Sequence, residues 1–367
     1  MNKSFDLIYI LTGLDYGGAE IQVIELAKEA KKRGYNVVII SLVDPKAFLD
    51  TLQNHGISVY SLNIKSILSF IPAVLNFRSI LKRYKKPVIH SHMIHANIFS
   101  RVAKLILGTS VKVVCTAHSV NEGGRVRMFL YRITNILCDL STQVSIKGLN
   151  KYIEIKAFSD KKSRYVPNGV SFDFLDDSYN KGSKTLEFKW LTVGRLVDVK
   201  DHHNLLYAFS SLSGSLGRAS LTIVGQGELE SQLKGLAISL GVEEKVHFLG
   251  VRDDILNIMT ESDAFVLSSK YEGMPMVLLE AASARLPIVS TNVGGINEFI
   301  SNGSSGILVS PESKDSLKIG MECLMGMPLA ERELLVSRAF ETAHKNYSIC
   351  SVFNTWENIY FELNGLQ

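Results

Sequence analysis

Glu272 and Glu280 stand eight positions apart in Tyr271-Glu272-Gly273-Met274-Pro275-Met276-Val277-Leu278-Leu279-Glu280, a stretch that leaves an apolar strand and enters a helix. One carboxylate falls in the loop and the other within the helix. Gly273 lets the backbone approach a ligand closely, and the free amides of a helix start can hold a phosphate or hydroxyl groups. A carboxylate accepts directional hydrogen bonds, which suits a ligand rich in hydroxyls. As a bare pair, the same spacing also describes two surface glutamates.

His118 closes the strand Val113–Ala117. An imidazole at a strand end can donate to a hydroxyl or handle a proton near neutral pH; a satisfied structural histidine is the alternative. His90, His92 and His95 form a cluster without zinc spacing and without a nearby cysteine or acidic ligand, so no metal site is expected. His202 and His203 begin a helix and are expected to be solvated. Gly225-Gln226-Gly227 follows a strand and imitates the start of a dinucleotide fingerprint, but Glu230 takes the place of the third glycine, so NAD is not implied. No Asp-x-Asp triplet occurs, which leaves a metal-bridged diphosphate without its usual ligands.

These groups need a scaffold, and the chain supplies one twice. In the first half, strands are expected at Leu7–Leu11, Val37–Leu42, Ile57–Leu62, Val88–Ser91 and Val111–Ala117. Helices are expected at 19–33, 72–84 and 95–107. In the second half, strands at Phe188–Val193, Leu221–Val224, Val246–Leu249, Ala264–Ser268 and Ile288–Ser290 alternate with helices near 202–212, 228–240, 276–285 and 314–324. Two further helices follow, at 331–345 and 350–363. Apolar strands with helices between them indicate parallel sheets covered on both faces. The fold class is therefore α/β, as two Rossmann-like, doubly wound domains facing a cleft. A polar linker containing Asp173, Asp176, Asp177, Asn180 and Gly182 separates them. Ligands in such sheets sit at the carboxyl ends of strands beside helix N-termini.

The chain has 367 residues, enough for two domains. With 46% hydrophobic and 21% charged residues, it is composed like an ordinary globular protein rather than a disordered one. The short apolar run after Asp6 reads as a buried strand and not as a signal peptide, and no stretch is long and apolar enough to span a bilayer. Cys115, Cys138, Cys323 and Cys350 are scattered, with no metal or redox spacing, which suits free thiols in the cytoplasm. Residues 1–172 carry 24 basic and 11 acidic side chains, a net +13; the remainder carries 16 and 25, a net −9. A basic first half fits an anionic membrane or a phosphate-bearing ligand. Arg125-Val126-Arg127-Met128-Phe129-Leu130-Tyr131-Arg132 and the stretch Leu68–Leu81 both mix bases with apolar residues. Such a face can rest in a headgroup layer, or it can be a core-facing helix with basic outer residues.

The long motif continues through Leu286-Pro287-Ile288-Val289-Ser290-Thr291 to Gly294-Gly295-Ile296-Asn297-Glu298. Upstream lie Gly17-Gly18-Ala19-Glu20, Val166-Pro167-Asn168-Gly169-Val170, Val193-Gly194-Arg195-Leu196 with Lys200, Val224-Gly225-Gln226-Gly227-Glu228 and Phe248-Leu249-Gly250. In this order, over nearly the whole chain, the set resembles family 4 of the retaining GT-B glycosyltransferases. The resemblance implies an acceptor-binding domain at 1–172, a nucleotide-sugar-binding domain at 185–345, and a final segment 346–367 that crosses back to the first. It implies that His118, Arg195, Lys200 and Glu272 take part in catalysis. Arg195 and Lys200 would hold the donor diphosphate, Glu272 the sugar hydroxyls and Glu280 the ribose. Gly17, Gly18, Gly225, Arg252, Gly273, Met274, Pro275, Val277 and Leu278 would complete the donor site.

Asp15, Tyr16, Arg125 and Arg127, expected in loops, are the acceptor candidates. The substrate would be a UDP- or GDP-sugar, with no cofactor. The acceptor would be a glycan or a lipid-diphosphate-linked molecule in bacterial surface polysaccharide assembly, at the inner face of the cytoplasmic membrane; no nucleic acid is implied. Arg285 stands where the family usually has glycine, a residue that eases a left-handed helix end. A sugar-nucleotide epimerase of the same fold and a non-catalytic nucleotide-sugar binder are the alternatives.

Overall fold

The computed structural model describes residues 4–107, 111–120, 122–172, 187–212 and 218–366. The expected polar linker at 173–183 lies outside them. The chain divides into two compact units, Met1–Val170 with Ser348–Gln367, and Ser171–Tyr347.

The first unit runs β1 (Leu7–Leu11), α1 (Gly18–Lys32), β2 (Val37–Ser41), α2 (Leu49–Asn54), β3 (Ser58–Ser61), α3 (Phe70–Leu81), β4 (Val88–His92), α4 (Ile94–Leu107), β5 (Lys112–Ala117), α5 (Arg125–Thr134), β6 (Leu140–Gln143), α6 (Ile146–Glu154) and β7 (Ser163–Tyr165). Its seven strands lie in the order β3-β2-β1-β4-β5-β6-β7, all parallel. Alternation along β1 explains the two covered faces: Leu7, Tyr9 and Leu11 pack on one side, Ile8 and Ile10 on the other. Val23, Leu26 and Ala27 of α1 cover the first side; Phe77 of α3 and Phe99 of α4 cover the second. The register aligns Leu11 with His92 and His92 with Thr116. The order reverses between β1 and β4, so the loops after these strands diverge and leave a crevice at their carboxyl ends.

The second unit runs β8 (Phe188–Val193), α7 (His202–Ser210), β9 (Ala219–Val224), α8 (Glu230–Ser239), β10 (Val246–Gly250), α9 (Ile255–Thr260), β11 (Ala264–Leu267), α10 (Met276–Ser283), β12 (Ile288–Thr291), α11 (Ile296–Phe299), β13 (Ile307–Val309), α12 (Lys314–Gly326) and α13 (Leu329–Tyr347). Its six parallel strands follow β10-β9-β8-β11-β12-β13, with the reversal between β8 and β11. Both sheets are doubly wound, as the strand pattern predicts. The short elements α2, α9, α11 and β13 carry too few periodic residues to stand out in the sequence.

The last helix, α14 (Ile349–Leu363), belongs to the first unit. Ser348 caps it by accepting from the Ser351 amide. Ile349, Val352, Phe353, Trp356, Ile359 and Tyr360 are spaced as one helical face and enter the core beside Leu26 and Ala30 of α1. Arg33 ties the two helices on the outside, bonding to Glu29, Asn354 and Glu357.

Candidate active site

In the second unit, the groups of interest gather where the strand order reverses. β8 ends at Val193 and β11 at Leu267, neighbours in the sheet. The loop after β8 carries Arg195 and Lys200; the loop after β11 carries Glu272. Lys200 Nζ lies 2.5 Å from Glu272 Oε1, which also accepts from Ser269 Oγ at 2.7 Å. Both side chains are mostly covered, 17% and 12% exposed, which strengthens their attraction relative to a surface pair. Ser268 Oγ donates to the Lys200 carbonyl, and the Lys270 amide to the Val199 carbonyl, so the two loops are joined by backbone as well. Glu272 Oε2 keeps no partner among the described residues. Arg195 is exposed and makes no ion pair among them.

Backbone proximity dictates the glycines. Gly225 has φ 133°, and a Cβ there would sit 2.0 Å from the Gly194 carbonyl oxygen. Gly227 faces the Leu196 carbonyl as closely, at 2.3 Å, and the Leu196 amide donates to the Gln226 carbonyl. The Gly-x-Gly loop thus buttresses the Gly194-Arg195-Leu196 loop.

α10 starts at Met276, just past Gly273, Met274 and Pro275. Met274 and Leu278 are buried and Val277 half-buried. Glu280 is half-buried in the same helix. Arg252 is exposed and forks onto Asp254 at 2.6 and 2.7 Å. Arg285 keeps φ 53°, the left-handed end that its position demands, with its guanidinium 3.8 Å over the Phe340 ring.

In the first unit, the loop after β1 carries Asp15 and Tyr16, and Gly17 precedes α1, whose first residue is Gly18. Asp15 accepts from the Tyr16 amide and faces Lys46 at 3.7 Å; the exposed Tyr16 ring lies against Phe48. His118, half-buried at the end of β5, bonds through Nε2 to His92 Nδ1 at 2.9 Å. One of these two nitrogens must donate and the other accept, so the two rings cannot both be doubly protonated. Burial accordingly holds His118 down to about 4 and His92 well below its ordinary value. His92 Nε2 and His118 Nδ1 are buried without a partner among the described residues. The Glu122 carboxyl accepts from the His118 amide at 2.8 Å and from Tyr131 OH at 2.7 Å; burial pushes it up to about 7, against the pull of those bonds.

Two expectations need correction. Arg125 and Arg127 are not in loops: they form the first turn of α5. Gly123-Gly124 marks the break before that helix, and its outer apolar residues disguise its period. His202 is buried and His203 half-buried, not solvated. His202, Leu205, Leu206 and Phe209 share one helical face, a signal present in the spacing. Desolvation, with Lys200 nearby, lowers His202 to about 4.

The model of glycosyl transferases group 1 matches residues 175–341, and that of glycosyltransferase family 4 matches residues 16–174. The chain belongs to this glycosyltransferase family. The family 4 glycosyltransferase is 28% identical over 272 residues to the UDP-Gal:alpha-D-GlcNAc-diphosphoundecaprenol alpha-1,3-galactosyltransferase of Escherichia coli, covering 68% of this chain and 69% of the relative. It is 26% identical over 365 residues to the N-acetyl-alpha-D-glucosaminyl L-malate synthase of Bacillus anthracis, covering 95% and 94%. The solved structure of Anabaena HepE with UDP-glucose superposes with a TM-score of 0.83 at 21% identity, over 98% of this chain and 100% of that one. The fold is GT-B.

Three residues of this glycosyltransferase escape a reading of the sequence alone. Ser269 holds Glu272, Glu122 holds the His118 backbone, and His92 holds the His118 ring. His90, by contrast, is structural: it bonds to Tyr360 OH and Thr116 Oγ1, both at 2.7 Å. The strand register carries the signal for His92, since His92 ends β4 opposite Thr116, two residues before His118.

Proposed function

We propose that this glycosyltransferase transfers a hexosyl group from a UDP-sugar to a hydroxyl of a glycan or lipid-diphosphate-linked acceptor, with retention at the anomeric carbon, in surface polysaccharide or glycolipid assembly. The observation that carries the reading is the exposed Arg195 and the covered Lys200–Glu272 pair at the strand reversal of the second unit. The named substrates of the Escherichia coli galactosyltransferase, a UDP-sugar and a diphosphoundecaprenol acceptor, support the choice of donor and acceptor class.

Negative charge grows on the diphosphate as the bond to the anomeric carbon breaks. Arg195 and Lys200 are the cations assigned to meet it, and a charge held in position, as the covered Lys200 is, costs little reorganisation during reaction. The reading assigns that charge to side chains and requires no cofactor. Glu272 Oε2 accepts from donor-sugar hydroxyls while Oε1 remains tied to Lys200 and Ser269. Glu280 accepts from the ribose. The backbone from Gly273 to Val277, buried around Met274 and Leu278, lines the sugar, and Arg252 lies towards the base. Gly225 sets the Arg195 loop in place. In the first unit, Gly17 and Gly18 offer amides to the diphosphate, His118 meets a sugar hydroxyl, and Asp15, Tyr16, Arg125 and Arg127 contact the acceptor.

Thermal shift against UDP, GDP, ADP and their sugar conjugates tests the donor. A ligand at about 100 times its Kd raises stability by about 2.7 kcal/mol. A shift with UDP-sugars and none with ADP is expected, followed by acceptor-dependent release of UDP. Absence of any nucleotide shift would sink the reading, and a changed sugar nucleotide without acceptor would mark an epimerase.

A further inference from the structure

We propose that the outer face of α5 and the turn after it is the docking surface of this protein for an anionic lipid bilayer. The proposal deepens the acceptor reading above, on which the purpose of the docking rests. α5 is fixed on its inner face. Tyr131 and Thr134 are buried there; the buried Arg101 guanidinium lies 5.0 Å from the Tyr131 ring and donates to the Tyr131 carbonyl and to Thr134 Oγ1. Asn97 donates to Tyr131 OH at 2.8 Å. With these bonds made, the helix cannot roll to bury its other side.

That other side is apolar and uncovered. Val126, Phe129, Leu130, Ile133 and Ile136 follow helical spacing and range from 37% exposed at Leu130 to 81% at Ile136. Exposed Arg125 and Arg132 border the stripe on one side and Arg127 on the other. No acidic residue occurs from 123 to 138. The nearest carboxylates are occupied elsewhere, Glu122 by Tyr131 and the His118 amide, Asp139 by Lys104. The first unit as a whole carries 24 basic residues and 11 + 2 = 13 acidic ones, counting Glu357 and Glu362 from its last segment, a net +11.

A convex apolar ridge between arginines suits a deformable headgroup layer, with the ridge at the acyl boundary and the guanidinium groups at lipid phosphates. A second copy of the chain fits poorly, because a two-fold contact through this stripe would bring its arginines face to face. α5 begins seven residues after His118, and Glu122 lies between them bound to both. A bilayer under α5 would therefore present a lipid-linked acceptor beside the strand end that carries His118.

The test is sedimentation of the full chain with vesicles of phosphatidylcholine, with and without phosphatidylglycerol. Binding to the anionic vesicles alone is expected, lost at an ionic strength of about 1 M, where screening acts over ~3 Å. Arg132→Gln should weaken binding about fivefold, the effect of one cation at an anionic surface. Phe129→Ser with Ile133→Ser should weaken it at least about tenfold, while the thermal shift with a UDP-sugar stays unchanged. Equal binding to neutral vesicles, no binding to either, or full binding by the double serine variant overturns the proposal. So does a dimer in light scattering that the serine variant dissolves. Loss of the nucleotide shift in the wild type, with vesicle binding intact, would instead strike the transferase reading and leave the docking surface standing.

Discussion

The Lys200 ammonium and the Glu272 carboxylate meet 2.5 Å apart across 72 residues of chain. They meet because β8 and β11, which precede them, are adjacent strands on either side of the point where the sheet order reverses. Each residue thus reaches the pair from its own strand end, and neither loop needs to be long.

Lys200→Ala should lower kcat/KM for transfer by roughly 10²–10³-fold, as for loss of one preorganised charge donor. Glu272→Gln keeps the shape and one acceptor but loses the ion pair, and the double variant should cost less than the sum of the singles, because the two groups act together. Steady-state kinetics on the four proteins checks this; additive losses would refute the coupling.

Gly225→Ala should destabilise the second unit by about 2–4 kcal/mol, since the new methyl must displace the Gly194 carbonyl. Gly235 lies within α8, and among the described residues outside its own turn nothing comes within 4 Å of its Cβ position. Gly235→Ala should therefore stabilise by about 0.5–1 kcal/mol, the helix-propensity difference. Urea unfolding of both variants separates a backbone clash from a general intolerance of substitution.

Arg285 combines a backbone cost with a side-chain gain: φ 53° in a non-glycine residue, and a guanidinium over Phe340. Each is worth about 1 kcal/mol, with opposite sign. Arg285→Gly should leave stability near the wild-type value, whereas Arg285→Ala, which drops the ring contact and keeps the strain, should lose about 1 kcal/mol. Equal stability of the two variants would show that the backbone strain is not felt.

Acid should unfold this protein through its buried histidines. Burial lowers His118 and His202 from 6.5 to about 4. The stability they contribute is complete above the ordinary value of 6.5 and is lost as pH falls towards 4. The effect is roughly 3 kcal/mol for the buried His202, and smaller for the half-buried His118, which water screens. Glu122 runs the other way: raised from 4.5 to about 7, it contributes most below 4.5 and loses its contribution as pH rises through 7. Urea unfolding free energies across this range check both signs. His202→Asn should flatten the acid limb, and Glu122→Gln should remove the fall between 4.5 and 7.

Ten strands and the Tyr271–Glu280 motif were legible, because buried parallel strands are apolar runs and because glutamates, glycine and proline mark a loop before a helix; β6 and β7, whose residues are mostly polar, and the three-residue β13 were not. Ser269 was illegible, since a serine at a strand end carries no period and its bond to Glu272 is a fact of three dimensions. α5 was obscured because its apolar residues point outwards: periodicity locates a stripe, but it does not say which side of the helix meets the core. His92 had no role in a linear reading, because only the register of β4 against β5 sets it beside His118.

The placement of α14 has a consequence for the order of events during synthesis. The first unit needs Trp356 and Tyr360 to close over β1 and His90, yet those residues are translated after the entire second unit. The second unit, Ser171–Tyr347, can condense as soon as its own chain has emerged. The first must wait with one face of its sheet open, its apolar surface exposed to other nascent chains and to chaperones. A stop codon anywhere after Tyr347 but before Trp356 would therefore spare the later-made unit and leave the earlier-made one unfinished.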